Sequence, residues 1–163
     1  MRVLVIFILS ALCLSANAQN LKIGFIDTEQ VVTSLTKYTK SLEIISNEFE
    51  PKKQDLLALH NHIELLRASI ESKNSSQDPS NLELSNLKEL EGSFEQETEF
   101  WQRSINTKKV NLLKEIEKLV NISIKEFALE NDYDLILYKD VAFVSNKINI
   151  TLQIIEKIEN RSP

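Results

Sequence analysis

Apolar residues recur at heptad spacing over two long stretches of this chain, with one short polar break between them. In the first stretch Leu42, Ile45, Phe49, Leu56, Leu59, Ile63, Leu66 and Ile70 hold a and d positions in a single register, interrupted only by Lys52 at a d site. In the second, Leu87, Leu90, Phe94, Trp101, Ile105, Leu112, Ile116 and Leu119 carry a similar stripe whose spacing drifts from 3.5 towards 3.6. The intervening Asn74-Ser75-Ser76-Gln77-Asp78-Pro79-Ser80 is too polar and turn-rich to continue a helix. The pattern predicts two helices that fold back as an antiparallel coiled-coil hairpin with its tip near residues 74–81. At 1.5 Å per residue the arm from Ser41 to Lys73 spans ~50 Å and the return from Asn81 towards Glu130 ~75 Å, far more than a compact domain of this size is wide. Most of the hairpin must project into solvent or against a partner.

Shorter elements flank the arms. Lys22-Ile23-Gly24-Phe25-Ile26-Asp27 alternates and is β-branched enough for a strand, and Gly24 lets another backbone or side chain approach closely. Asp27 or Thr28 caps a short helix, Glu29 to Leu35, and a second helix start falls at Thr39 or Ser41. Pro51 lies inside the first arm, where a kink is expected because the heptad register is the same on both sides. Pro51, Lys52 and Gly92 fall where the arms pass each other about midway, so Pro51 and Gly92 are candidate hinge residues.

Beyond Asn131, Tyr133 to Tyr138 and Val141 to Ser145, joined by Lys139-Asp140, read as a β-hairpin. Asn149-Ile150-Thr151 then caps an amphipathic helix carrying Leu152, Ile155 and Ile158. Three strands and two short helices make a small body at one end of the coiled coil. The fold class is α+β, mainly α, with residues 19–40 and 132–163 as body and 41–131 as arm. A body this small rarely buries enough surface to be stable alone, and strands from several chains completing one shared core is the expected remedy. The residues expected at such an interface are Ile23, Phe25, Leu135, Leu137 and Phe143.

The first residues change the setting. Arg2, the apolar run Val3 to Leu14 and Ser15-Ala16-Asn17-Ala18 form a secretory signal peptide over residues 1–18, the apolar run being too short for a span. Cys13 is the single cysteine and sits inside that run, so cleavage after Ala18 leaves no thiol for disulfides, catalysis or metal binding. The formal net charge of −5 becomes about −6 without Arg2, which gives no general attraction for nucleic acid or anionic lipid. Two glycines in all exclude a Gly-rich phosphate loop.

No group of residues has the spacing of a catalytic centre, and no cofactor or metal is expected. His60 and His62 are two apart and point to different sides of a helix, unlike the i, i+4 pair of a helical zinc site. Glu89, Glu91, Glu95, Glu97 and Glu99 read as a solvated charged face. Phe94 and Trp101 belong to the inner stripe and are read as hairpin core. Phe100 lies off that register and is the better candidate for contact with another chain.

Strand, long helical hairpin, two β-rich runs and a last helix behind a signal peptide resemble the Skp/OmpH family of periplasmic chaperones. The resemblance is carried by Lys22-Ile23-Gly24-Phe25-Ile26-Asp27-Thr28-Glu29-Gln30-Val31-Val32, by Tyr133-Asp134-Leu135-Ile136-Leu137, by Val141-Ala142-Phe143-Val144-Ser145 and by Asn149-Ile150-Thr151. It implies a jellyfish-like homotrimer in the periplasm, whose helical tentacles enclose unfolded outer-membrane proteins without ATP. It supports no lipopolysaccharide site here, because Arg67, Lys73, Lys88 and Arg103 are scattered among more acids than the basic cluster of that family would have. Two functions compete: a holdase that touches extended clients weakly at many points, and a structural or adaptor coiled coil that docks one folded envelope partner. A continuous exposed apolar stripe left after the arms pair would favour the adaptor.

Overall fold

The computed structural model describes residues 21–74, 81–138 and 141–161. The segments expected to be a signal peptide (1–18), an arm tip (75–80) and a turn (Lys139-Asp140) lie outside the described residues. In chain order the elements are β1 (Ile23–Phe25), α1 (Thr28–Ser34), α2 (Thr36–Asn74), α3 (Asn81–Glu130), β2 (Leu135–Leu137) and α4 (Thr151–Glu159).

The two long helices lie side by side, and their cross-contacts descend along α3 as they ascend along α2. Glu48 meets Lys108, Lys52 meets Glu97 at 2.6 Å, Arg67 meets Glu91 at 2.6 Å, and Lys73 meets Glu83 at 2.5 Å. All four pairs lie at the surface, where solvent screens them, so they serve register more than stability. Every heptad position named above on either arm is buried or half-buried, with Ile45, Leu56, Ile63 and Ile70 deepest on α2 and Leu112 and Ile116 deepest on α3. Lys52 stays half-buried at its d site, where Glu97 neutralises it. Helix α2 runs through Pro51 without a break.

The sheet differs from the sequence expectation. β2 pairs with β1 in parallel, Ile23 opposite Leu135, Gly24 opposite Ile136 and Phe25 opposite Leu137. A parallel pair needs a long crossover, and the whole α1–α2–α3 excursion supplies it. The predicted β-hairpin does not form, because residues 141–145 are not a strand. The free edge of β1 is taken instead by the segment just before α4: Phe25 N–H donates to the Ile148 carbonyl at 2.7 Å and Ile150 N–H to the Phe25 carbonyl at 2.9 Å. Both edges of β1 are thus occupied, while β2 pairs with β1 alone among the described residues.

The helix ends follow from local chemistry. Asp27 caps α1 by accepting from Gln30 N–H at 2.9 Å. Thr36 N–H at the start of α2 donates to Glu159 at 2.7 Å. Helix α3 closes in a Schellman turn: Tyr133 N–H reaches back to the Ala128 carbonyl at 2.9 Å, and Asp132 takes the left-handed position with φ of 53°. Tyr133 packs on Phe127 with ring centroids 5.9 Å apart, the apolar contact that accompanies this turn. Asn149 accepts from Thr151 N–H at 3.0 Å to open α4. On α4 the inward residues are Ile154 and Ile158, with Thr151; Leu152, expected on that face, points to solvent.

One core joins these elements. Ile26, Val31 and Leu35 from the β1–α1 region meet Ile150, Ile154 and Ile158 from α4 and Ile45, Leu112, Ile116 and Val120 from the long helices. The small body is therefore built on the base of the arms, which supply apolar surface that the short elements lack.

Candidate functional site

Among the described residues no group of three or more His, Cys, Asp or Glu side chains could hold a metal ion, and no helix is long and apolar enough to cross a membrane. What the chain presents is surface. Glu91, Glu97 and Glu99 of the acidic run are engaged by Arg67, Lys52 and Arg103, an exposed charged face rather than a catalytic cluster. Hydrogen bonds from Gln54, then Lys53, hold the exposed Glu50 carboxyl below its ordinary range.

Apolar side chains interrupt this charged surface at intervals. Ile44, Leu57 and Leu65 on α2 and Leu82, Leu84, Phe100, Val110, Leu113, Ile122 and Leu129 on α3 are exposed. Leu82, Phe100 and Ile122 share a side of α3 and lie ~27–33 Å apart along its axis, with Leu129 a further ~10 Å beyond Ile122 on that side, while Val110 and Leu113 form a separate pair three residues apart. Phe100, 65% exposed, projects alone.

The aromatic residues read as seam do more than fill it. Trp101 donates its indole N–H to the Phe49 carbonyl at 3.2 Å, and His60 stacks on Phe94 with centroids 5.4 Å apart. Together with Lys53, Leu56, Leu57 and Thr98 these rings line an apolar groove of about 320 Å³ at mid-arm. The heptad pattern assigned Phe94 and Trp101 to the seam but gave no sign that the seam would stay open here. Gly92 stands nearby on α3 with open space where a Cβ would be.

At the body, Ile23 and Phe25 are half-buried, while Leu135, Leu137 and Phe143 are 47%, 37% and 82% exposed. Tyr138 and Val141 are exposed beside them, so β2 and the segment after it offer an apolar surface that the other described residues do not cover. A second cavity, about 460 Å³, opens between α1 and α3; its lining includes Thr28, Glu29, Tyr38, Glu117, Asn121 and Tyr138.

The model of the family described as outer membrane protein (OmpH-like) matches residues 22–158, from just before β1 into the last turn of α4. Among solved structures, a candidate outer membrane chaperone (OmpH-like) from Caulobacter crescentus CB15 superposes with a TM-score of 0.58 at 11% identity, over 86% of this chain and 85% of that one. No curated protein matches. At that identity the structural likeness concerns the fold, whereas the family match spans every element described above, and the chain belongs to the OmpH-like outer membrane protein family.

Proposed function

We propose that this protein is an ATP-independent periplasmic holdase: three copies joined through their bodies hold unfolded outer-membrane proteins between antiparallel coiled-coil arms and keep them from aggregating. The observation that carries this reading is the scatter of exposed apolar side chains along charged arms. Small groups spread along the length of the arms suit an extended chain touched weakly at many points, whereas a folded partner docking on a helix needs a full set of anchors at i, i+3, i+4 and i+7, of which Val110–Leu113 and Ile122–Leu129 each supply one spacing alone. Family membership and the chaperone described for the Caulobacter relative support the same reading. The uncovered apolar surface at Leu135, Leu137 and Phe143, with Phe25 beside it, is the proposed trimer interface, and Phe100 is a proposed client contact. The signal peptide expected over residues 1–18 supports the periplasmic location.

The test is dilution of a urea-unfolded outer-membrane β-barrel protein into buffer with a slight molar excess of trimer, followed by light scattering. His60 and Phe94 face each other across the arms, so replacing everything between them by a short Gly-Ser linker shortens the arms with both cut ends level. The full-length protein should suppress aggregation, and the shortened one should stay trimeric and fail to protect. Full protection by the shortened form would reject the arm mechanism and favour an adaptor that docks a folded envelope partner.

A further inference from the structure

The outward side of α3 near the body carries charge opposite in sign to that of the chain as a whole. At 100° per residue Lys114, Lys118, Ile122 and Lys125 fall within about 80° of arc, with Phe100 in line towards the tip and Leu129 in line at the base. All six side chains are exposed, and Leu112, Ile116, Val120 and Ser123 are buried on the other side of the helix. Between Phe100 and Leu129 no acidic residue falls within that arc. Glu115 and Glu117 flank it, and the acids nearer the base are engaged from α4, Glu126 by Arg161 and Glu130 by Lys157. Among the described residues none of the three lysines has a carboxylate within ion-pair distance. Lys114 and Lys118 are like charges four residues apart, a spacing that slightly destabilises a helix unless an anion lies between them. With Asn121 and Ile122 the lysines line a shallow groove that Glu117 closes on one side.

We propose that this strip is a docking surface for acidic segments of an extended client chain. Lys114, Lys118 and Ile122 follow one another at ~6 Å along the helix axis, and side chains on one face of an extended strand recur every ~6.7 Å. Two carboxylates and one apolar side chain at alternate client positions therefore meet Lys114, Lys118 and Ile122 in turn. An anionic membrane is the other partner that the charge would admit, and the width of the strip argues against it. A flat surface meets Glu115 and Glu117 together with the lysines, and the net charge of −5 opposes its approach. A single strand, only ~5 Å across in the plane of a sheet, lies along the lysines alone. The inference rests on the holdase reading, since it names the kind of client segment that the base of the arms engages.

The probe is a serine-rich peptide with two aspartates and a phenylalanine at alternate positions, labelled with a neutral dye and followed by fluorescence anisotropy. Its partner peptide has asparagine in place of both aspartates. At about 20 mM salt the purified protein should bind the aspartate peptide roughly tenfold tighter, and at about 500 mM salt the difference should close. Changing the strip by Lys114→Gln, Lys118→Gln and Lys125→Gln together should bring the two peptides to equal affinity while circular dichroism reports unchanged helix. Lys40→Gln, Lys88→Gln and Lys147→Gln together change the net charge equally at scattered exposed positions and should keep the preference. Equal affinities in the unaltered protein at low salt would overturn the proposal, as would a preference that survives in the strip variant or is lost equally in the scattered one. Vesicles of phosphatidylglycerol and phosphatidylcholine should not sediment the protein; sedimentation that depends on the three lysines would assign the strip to anionic lipid and overturn the client reading. Aggregation suppression measured on the same samples separates this inference from the holdase: protection by the unaltered protein without aspartate preference rejects the strip alone, and failure of the unaltered protein to protect rejects the holdase.

Discussion

Gly24 offers the sharpest test of how the body is packed. It is the middle residue of β1, buried opposite Ile136, and a methyl group added there would stand 2.8 Å from the Ile150 Cδ1 atom and 3.1 Å from Cε1 of Tyr133. Two terms oppose each other in Gly24→Ala. Reducing the freedom of the unfolded chain stabilises by about 0.4–1 kcal/mol where the backbone is compatible, and Gly24 has no positive φ to forbid alanine. Overpacking a tight site costs about 1–3 kcal/mol. The crowding should win because neither neighbour has room to move: Ile150 is itself in the core, and the Tyr133 ring is held against Phe127 and under the Lys22 ammonium, 4.5 Å from its centroid. The net expectation is a loss of roughly 0.5–2 kcal/mol. Urea unfolding followed by circular dichroism measures it, at one fixed protein concentration because association would shift the midpoint. A double-mutant cycle then isolates the clash, since Ile150→Val removes the Cδ1 atom that the new methyl meets. Alone, Ile150→Val should cost about 0.5–1.5 kcal/mol, yet in the Gly24→Ala background it should cost less or even restore stability. Additive losses in the cycle, or a stabilised Gly24→Ala single variant, would refute the packing described here.

Phe25→Asp should dissociate the proposed trimer, because symmetry repeats in every subunit the loss of the apolar contact that this half-buried ring would make; an unchanged mass by light scattering would move the interface elsewhere. Replacing Gly92 by Ala, where the new methyl meets nothing, should stabilise the arm by up to about 1 kcal/mol, and with Pro51→Ala should slow amide exchange at mid-arm if those two residues form the proposed hinge. Asp132→Val should lower stability by about 1–2 kcal/mol in thermal melts because a β-branched residue resists the left-handed turn, whereas Asp132→Gly should be neutral or better. Client protection should weaken as salt rises, since the charged arm faces are exposed and screened, and a flat profile from 50 mM to 500 mM salt would argue for purely apolar contacts.

The long arms and their register were legible in the sequence because heptad periodicity is a local signal: Leu56, Ile63 and Leu112 are buried wherever the partner helix comes from, and the polar break dictates that it comes from the same chain. The close approach at Gly24 was legible for a similar reason, since a glycine in a β-branched run has few other uses. Strand pairing was not. Tyr133 to Ser145 has the composition of a hairpin, but which edge each run finds depends on competition across more than a hundred residues, and the segment at Ile148 and Ile150 took the edge of β1 by hydrogen bonding to both sides of Phe25. The orientation of α4 was half legible: Ile158 faces the core as its period requires, while Leu152 turns outward because Thr151 and Ile154 fix the helix against Asp27 and the core. Least legible was the open seam at Thr98 and Trp101. Heptad spacing states which side chains face each other, but whether they meet or leave a groove depends on how far apart the two backbones stand, and that distance is set by every contact along both arms together.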